Sequence, residues 1–288
     1  MVIKETCLRR RVGTMNIGII GTGNMGSMLV EALIEGKAIS PASMMITNRT
    51  KSKAMLLKDK YRELRVGANP REVAAASDLV FVCVKPLDVC KVLHEMNLHL
   101  SAEKCLISIT SPVSTSQIEK LVSCSTVRVI PSITNRALSG VSLITYGENC
   151  SDLWKTRVEK LIAKIAVPYQ IDEKITRSSS DIVSCGPAFF SYLLQRFIQA
   201  AVKETEIDED AATIMASEMI VGLGELLKQG HYTLSTLQEK VCVKGGITGE
   251  GIKVLDTEFG DVFEHLFQAT QAKFKEDLDK VETQFSNY

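Results

Sequence analysis

Three glycines near the start of the sequence, Gly21, Gly23 and Gly26, have the spacing Gly-x-Gly-x-x-Gly. A short apolar run leads into them, and an apolar face at helical spacing follows them. Such glycines permit a tight turn, a close approach of backbone to phosphate, and close packing of a strand against a helix. The helix would offer free N–H groups and its positive end to the pyrophosphate of a dinucleotide. The alternative is a glycine-rich loop that binds nothing. The expected cofactor contacts here are Gly21, Thr22, Gly23, Asn24 and Met25.

The next apolar run ends in a second polar group, Asn48, Arg49 and Thr50. Sites for NAD usually place an acidic side chain at this position, where it binds a ribose hydroxyl. No acidic residue occurs between Glu35 and Asp59. Amide, guanidinium and hydroxyl groups suit a 2′-phosphate instead, so we expect NADP (NADPH) as the cofactor. The alternative interpretation is a basic turn in contact with solvent only.

A third candidate contact is the turn Val84-Lys85-Pro86, which ends the apolar run 78–84. Strands that a parallel sheet buries on both faces have such continuous apolar runs. Ligands of these sheets lie outside the carboxyl ends of the strands. We therefore expect Val84, Lys85 and Pro86 to line the cofactor site, although an ordinary surface lysine would give the same sequence. Asn69 is a weaker candidate for the same role.

The elements that must position these residues alternate between apolar strands and helical patterns in the first part of the chain. The apolar runs are at residues 17–20, 44–47, 78–84, 105–109, 126–130 and 141–145. This alternation predicts an α/β fold with a Rossmann-type, doubly wound parallel sheet. From about Ser180 onward, broad apolar faces at helical spacing predict an all-helical domain. We expect an extension at residues 1–14, an NADP-binding domain at 15–175, and a helical dimerisation and substrate domain at 176–288.

The composition excludes several classes of function. Lys and Arg number 34 and Asp and Glu number 34, so nothing favours nucleic acid or an anionic membrane as a partner. No run is long and apolar enough to span a bilayer. The eight cysteines form no C-x-x-C pair and the four histidines are isolated, so we expect no metal site. Because several cysteines lie in apolar runs, they indicate buried thiols of a cytoplasmic protein. Three arginines at 9–11 precede no apolar segment of a signal peptide.

Several motifs in order resemble the pyrroline-5-carboxylate reductase family over nearly the whole chain from Met15. They read IGIIGTGNMG, TNR, VCVKP, RVIP, SCGPAFF and GGIT. Several matches in sequence are far more specific than one glycine motif alone. The segments KPLD, SITSP and VIPSITNRALSGVS are most similar to the ComER, or late-competence, branch of that family.

The resemblance implies a Rossmann domain, a helical domain, and a homodimer that can assemble further. The implied reaction is hydride transfer from NADPH to the C=N carbon of pyrroline-5-carboxylate, which gives proline. The nicotinamide carries the hydride, so the protein mainly orients the imine and holds its carboxylate. Matched to the family loop SPGGTT, the substrate-binding residues are Gly245, Gly246 and Thr248, and Thr248 is the one catalytic side chain. The loop taken alone is equally consistent with a turn between two helices.

The departures from the family pattern fall at the substrate end. Val243 and Lys244 replace serine and proline before the glycines, and Ile247 replaces the first threonine. The segments Ser111-Pro112 and 131–134 also differ. Loss of a hydroxyl near a substrate oxygen typically weakens binding by about 1 kcal/mol. Lys244 either compensates electrostatically for a carboxylate or points to solvent.

These departures leave two hypotheses open. The leading one is an NADPH-dependent reductase of pyrroline-5-carboxylate with low turnover. The other is a cofactor-binding paralogue with a regulatory role in competence or sporulation and little turnover. A β-hydroxyacid dehydrogenase is the least favoured alternative, because residues 184–204 contain no catalytic lysine followed by asparagine at helical spacing.

Overall fold

The chain forms two compact units in the computed structural model, which describes residues 15–287. The first unit extends to Cys185 and resumes at Thr270, and the second is Gly186–Ala269. The extension expected at residues 1–14 lies outside the described residues. The division differs from the expected boundary at 175/176, because the chain on both sides of the second unit packs with the first.

Eight strands form one sheet in the first unit, with the spatial order β3-β2-β1-β4-β5-β6-β7-β8. They are β1 Ile17–Ile20, β2 Met44–Thr47, β3 Arg65–Val66, β4 Leu79–Val82, β5 Cys105–Ser108, β6 Ser125–Ile130, β7 Val141–Tyr146 and β8 Val167–Gln170. All neighbouring strands are parallel except β6 and β7. The chain proceeds outward from β1 to β3 and then returns to β4. The crevice where such sheets bind ligands therefore lies at the carboxyl ends of β1 and β4.

Helices flank this sheet and make up the second unit. They are α1 Asn24–Glu35, α2 Lys51–Lys60, α3 Pro70–Ala75, α4 Val89–Met96, α5 Thr115–Glu119, α6 Asp152–Ile162, α7 Thr176–Ser180, α8 Gly186–Glu204, α9 Glu209–Lys228, α10 Leu234–Val241, α11 Ile247–Glu258 and α12 Val262–Ser286. A π-helical turn, Asp181–Cys185, leads from α7 into α8. The doubly wound sheet followed by a helical unit confirms the predicted fold class.

The core of the first unit lies on both faces of the sheet, as the continuous apolar runs predict. Side chains of α1, α2 and α6, including Leu29 and Trp154, form one cluster with Ile17 and Ile19 of β1. Side chains of α3, α4, α5 and α12 form the other with Val80 and Val82 of β4. The central strands β1, β2, β4 and β5 are buried at every position. The carboxyl ends of these strands are therefore held rigidly.

A buried polar cluster explains why the first unit extends to Cys185 and resumes at Thr270. The Asp181 side chain is almost fully buried. One of its carboxylate oxygens lies 2.9 Å from Nη2 of Arg177, and the other accepts a hydrogen bond of 2.8 Å from the Thr270 hydroxyl. The guanidinium of Arg177 also lies over the ring of Phe274, 5.6 Å from its centroid. These contacts join two stretches that are far apart in the sequence.

The second unit leaves much of its apolar surface exposed. Its small core consists of Ile198, Ala212 and Ala216, packed between α8 and α9. The large exposed side chains of these two helices include Phe190, Tyr192, Phe197, Ile214, Met215, Met219, Ile220 and Val221. Exposed apolar patches of this kind mark surfaces that bind another protein. No helix within residues 15–287 is both long and apolar enough to cross a membrane.

Candidate functional site

The glycine turn between β1 and α1 is constrained by its own chain at two positions and open at the third. Gly21 has φ +98°, and a Cβ there would lie 2.5 Å from the carbonyl oxygen of Cys83. A Cβ on Gly26 would lie 1.9 Å from the carbonyl oxygen of Gly21. A Cβ on Gly23 would meet no atom of the described residues within 4 Å. Only the second glycine thus leaves its backbone open to an approaching group.

The amino end of α1 offers hydrogen-bond donors to that opening. Gly23 caps the helix without a side chain, and no acidic residue stands in the first turn. The N–H groups of Asn24 and Met25 therefore face no capping oxygen and lie at the positive end of the helix dipole. The hydroxyl of Thr22 is buried and has no hydrogen-bond partner among the described residues. Unsatisfied hydrogen-bond donors at the amino terminus of a helix can bind the oxygens of a pyrophosphate.

Cys83 lies beside this turn but adds no negative charge to it. Burial raises the pKa of its thiol well above the ordinary range, so the group stays neutral at physiological pH. An anionic ligand at the glycine turn consequently meets no thiolate.

The residues after β2 form a basic rim. The amide of Gly21 donates a hydrogen bond of 2.8 Å to the carbonyl of Thr47, which fixes the end of β2 beside the glycine turn. Asn48 is half-buried, whereas Arg49 and Thr50 are exposed. Thr50 caps α2 without a side-chain hydrogen bond, and the first turn of α2 carries lysines and no acidic residue. This arrangement suits a phosphate group and offers no carboxylate to a ribose.

The turn after β4 lies next to the glycine turn. A Cβ on Gly21 would lie 3.2 Å from Cγ1 of Val84, so the Val84 side chain lies beside the glycine turn. Lys85 precedes the 3-10 turn Pro86–Asp88, and its side chain is exposed. The structure thus brings the three predicted groups of cofactor residues together at the carboxyl ends of β1, β2 and β4. The weaker candidate Asn69 caps α3, where its side chain accepts a hydrogen bond of 3.0 Å from the amide of Glu72.

Arg128 is an arginine buried in β6, and the sequence indicates it only as part of the motif RVIP. Arg128 in β6 is 2% exposed. It donates to the hydroxyl of Thr176 (2.7 Å) and to the carbonyl of Ser111 (3.1 Å), and it pairs with Glu173 at 3.2 Å. Burial lowers the pKa of Arg128, and the charge of Glu173 opposes that effect. Arg128 thereby fixes the segment after β5. A single charge inside an apolar strand pattern was the signal in the sequence.

The predicted substrate residues belong to the second unit. Gly245 has φ +77°, a conformation that favours glycine, and Gly246 caps α11 without a side-chain hydrogen bond. Thr248 is exposed in the first turn, and Ile247 beside it is 93% exposed. The loop thus presents one hydroxyl and a helix end without a side-chain cap, which are groups that can bind a carboxylate. Its departures from the family pattern, Val243 and Lys244, are also exposed. The first turn of α11 also carries an acidic residue, Glu250, which pairs with Lys253 at 2.7 Å.

The side chains of the described residues provide no cluster of metal ligands. Within residues 15–287, no three His, Cys, Asp or Glu side chains come close enough together to hold a metal ion. The cysteines of this range are free thiols, among them Cys83, Cys185 and Cys242.

Two family profiles match successive parts of the chain. Residues 16–112 match the family described as NADP oxidoreductase, coenzyme F420-dependent. Residues 173–277 match the family described as pyrroline-5-carboxylate reductase dimerisation.

Full-length relatives agree with both profiles. ComE operon protein 4 of Bacillus subtilis is 51% identical over 94% of this chain and 99% of that protein. Pyrroline-5-carboxylate reductase of Aquifex aeolicus is 30% identical over 84% of this chain and 89% of that protein. The solved pyrroline-5-carboxylate reductase of Coxiella burnetii is similar in fold, with a TM-score of 0.80 at 22% identity over 94% and 99% of the two chains. The Plasmodium falciparum pyrroline carboxylate reductase with NADP bound has a TM-score of 0.77 at 22% identity over 94% and 98%.

Proposed function

Because this chain belongs to the pyrroline-5-carboxylate reductase family, we propose that it reduces 1-pyrroline-5-carboxylate to proline with NADPH, at low turnover. The observation that carries the proposal is the glycine turn, where Gly21 and Gly26 are closely packed and Gly23 alone is open. That geometry supports a dinucleotide oxidoreductase.

NADP is the cofactor that this chain's residues fit. The sequence predicts it from the absence of an acidic residue after β2, and the basic rim of Arg49 and the first turn of α2 supports it. The NADP oxidoreductase profile over residues 16–112 agrees with that prediction. The proposed contacts are Gly21, Thr22, Gly23, Asn24, Met25, Asn48, Arg49, Thr50, Val84, Lys85 and Pro86.

The chain's own residues bind and orient the cofactor and the substrate, and they transfer no proton. Bound NADPH supplies the hydride. The backbone N–H of Gly245 and the hydroxyl of Thr248 would hold the substrate carboxylate, whereas the N–H of Gly246 donates to the carbonyl of Val243 at 2.9 Å. A protonated imine is already electrophilic, so positioning is the main contribution of the protein. Since Ile247 offers no hydroxyl where the family has one, this positioning is looser than in relatives that keep both threonines.

A regulatory role with little turnover is the second candidate. The apolar Val243 and Ile247 in the substrate loop favour it, because they remove polar groups from the part of the chain expected to hold the carboxylate. The relative at 51% identity is also named for an operon rather than for a reaction.

Two parallel measurements separate these candidates. One follows NADPH oxidation in the presence of pyrroline-5-carboxylate, and the other measures NADPH binding without substrate. Slow oxidation together with binding supports the reductase. Binding without any oxidation favours the regulatory role, and absence of binding contradicts both.

We further propose a homodimer formed through the helical residues 189–285, in the cytoplasm. The dimerisation profile over residues 173–277 supports self-association, and the exposed apolar side chains of α8 and α9 would be covered by a second copy. Sedimentation at micromolar concentration is expected to give a dimer or a larger assembly. A monomer under those conditions would contradict the proposal.

A further inference from the structure

The last turns of α12 lie against the cofactor-binding unit, after the point at which the dimerisation profile ends. That profile stops at residue 277. Val281 is 1% exposed and belongs to the same apolar cluster as Val82 and Val89, on either side of the turn that carries Lys85. Phe285 and Val84 are partly buried against that cluster. This end of α12 is therefore built into the first unit.

One side chain in this stretch reaches the backbone of the Lys85 turn. Nε2 of Gln284 donates a hydrogen bond of 2.6 Å to the carbonyl oxygen of Leu87. Leu87 lies in the 3-10 turn Pro86–Asp88, and the amide of Asp88 bonds the carbonyl of Lys85 at 2.9 Å. A constraint on Leu87 is thus passed directly to Lys85.

Buried residues anchor the two ends of the turn, Val82 before it and Val89 after it, but not its middle. The side chains of Lys85 and Leu87 are both exposed, so burial of those side chains does not anchor it. The Oε1 atom of Gln284 is buried and has no hydrogen-bond partner among the described residues. An apolar side chain at position 284 would not carry the cost of burying an unsatisfied oxygen. The N–H donor to Leu87 is therefore what glutamine contributes at this position.

We propose that Gln284 is a positioning residue for the cofactor: it holds the Leu87 carbonyl and thereby sets the turn that presents Lys85 to the dinucleotide. The inference rests on the proposed function, because it requires NADPH at the carboxyl end of β4. It assigns a role in cofactor affinity to a helix whose first two turns, up to Ala269, belong to the other unit.

The test is a double-mutant cycle read by NADPH affinity in the absence of substrate. Gln284→Met keeps the length and the apolar contacts of the side chain but removes the donor. It is expected to raise the dissociation constant about fivefold, the typical effect of one lost hydrogen bond. In a Lys85→Met background the same change is expected to have no further effect, because the two residues act through one contact. Ser286→Ala, on the same helix, is the matched control, since the Ser286 hydroxyl donates to the carbonyl of Glu282 within α12.

Each outcome supports or overturns the inference. A fivefold loss that disappears in the Lys85→Met background supports it. Equal losses in both backgrounds, or the same loss in Ser286→Ala, show a structural role and overturn it. Unchanged affinity in Gln284→Met overturns it while the proposed function stands. Absence of NADPH binding by the unaltered protein overturns the proposed function and this inference together.

Discussion

Two loops in this molecule, the turn before α1 and the loop before α11, both place closely spaced glycines ahead of a helix but differ in what surrounds those glycines. In the first, an added Cβ at Gly21 or Gly26 would collide with backbone of the same unit. In the second, a Cβ at Gly246 would crowd Val243 of the same loop, at 2.8 Å from its Cγ2 and 3.0 Å from its carbonyl oxygen, whereas a Cβ at Gly245 or at Gly249 in α11 would meet no described atom within 4 Å. The positive φ of Gly245 is the one demand that the chain itself makes on that residue.

The polar groups of the two loops differ in the same way. The hydroxyl of Thr22 is buried and Thr47 is fixed to the glycine turn, whereas Thr248 and Ile247 face solvent. The first loop is shaped before any ligand arrives. The second loop has its helix end and its hydroxyl in place, but both are exposed to solvent. Substitutions at exposed positions of the second loop cost little folding stability. Val243, Lys244 and Ile247, which differ from the family pattern, are such exposed positions.

The sharpest test of this comparison is one methyl group added in the first turn of the helix that follows each loop, α1 or α11. We expect Gly26→Ala to destabilise the protein by about 3 kcal/mol or more and to abolish NADPH binding, because backbone must move to accommodate it. Gly249→Ala is expected to stabilise α11 by roughly 0.5–1 kcal/mol, since alanine is the better helix former. Urea unfolding at equal protein concentration measures both. Equal effects of the two changes would mean that the loops do not differ in packing. A loss of stability in Gly249→Ala would show that another chain covers α11.

A smaller effect on cofactor affinity is expected at the basic rim, the residues that follow β2. Arg49→Ala should weaken NADPH binding about tenfold and leave NADH binding unchanged, because the lost charge-assisted hydrogen bond serves only the 2′-phosphate. Titration of each cofactor measures this, with Arg62→Ala beyond the other end of α2 as the control. Comparable affinities for NADPH and NADH that do not respond to Arg49→Ala would refute the assignment of NADP.

The smallest effects are expected in the substrate loop. Val243→Ser and Ile247→Thr, made separately, should each raise kcat/KM about fivefold, and Thr248→Ala should lower it by a similar factor, since each hydroxyl contributes about 1 kcal/mol. The dissociation constant of NADPH should stay constant in all these variants. Steady-state kinetics and cofactor titration together check this prediction. If none of the variants alters turnover, the loop is structural.

The sequence predicted the central sheet and the glycine turn between β1 and α1 because their signals are local, and the assignment of the cofactor contacts stays a prediction. Buried parallel strands are continuous apolar runs, and the glycine spacing follows from the packing that Gly21 and Gly26 require. The edge strands β3 and β8 were not predicted. The first has two residues, and the second is largely exposed and contains Pro168, so neither forms an apolar run.

The division into units could not be predicted for a different reason. Helix α12 has one uninterrupted helical pattern, and nothing in that pattern marks Thr270 as the point where the first unit resumes. The hydrogen bond between Thr270 and Asp181 joins residues 89 positions apart, and such a pairing leaves no local signal. The substrate residues Gly245, Gly246 and Thr248 were found through the resemblance alone, and their assignment stays a prediction.

The buried position of Val281 also determines when the first unit can complete its folding during synthesis. A ribosome adds residues from the amino end, so the sheet is synthesised long before the stretch that completes one of its faces. Synthesis of the intervening helices takes on the order of ten seconds, and the apolar cluster on that face stays incomplete throughout. Residues 15–185 alone therefore do not make a finished nucleotide-binding unit during translation. The helices of the second unit leave the ribosome before Val281 does. Their surfaces for self-association are therefore available before the apolar cluster of the first unit is complete.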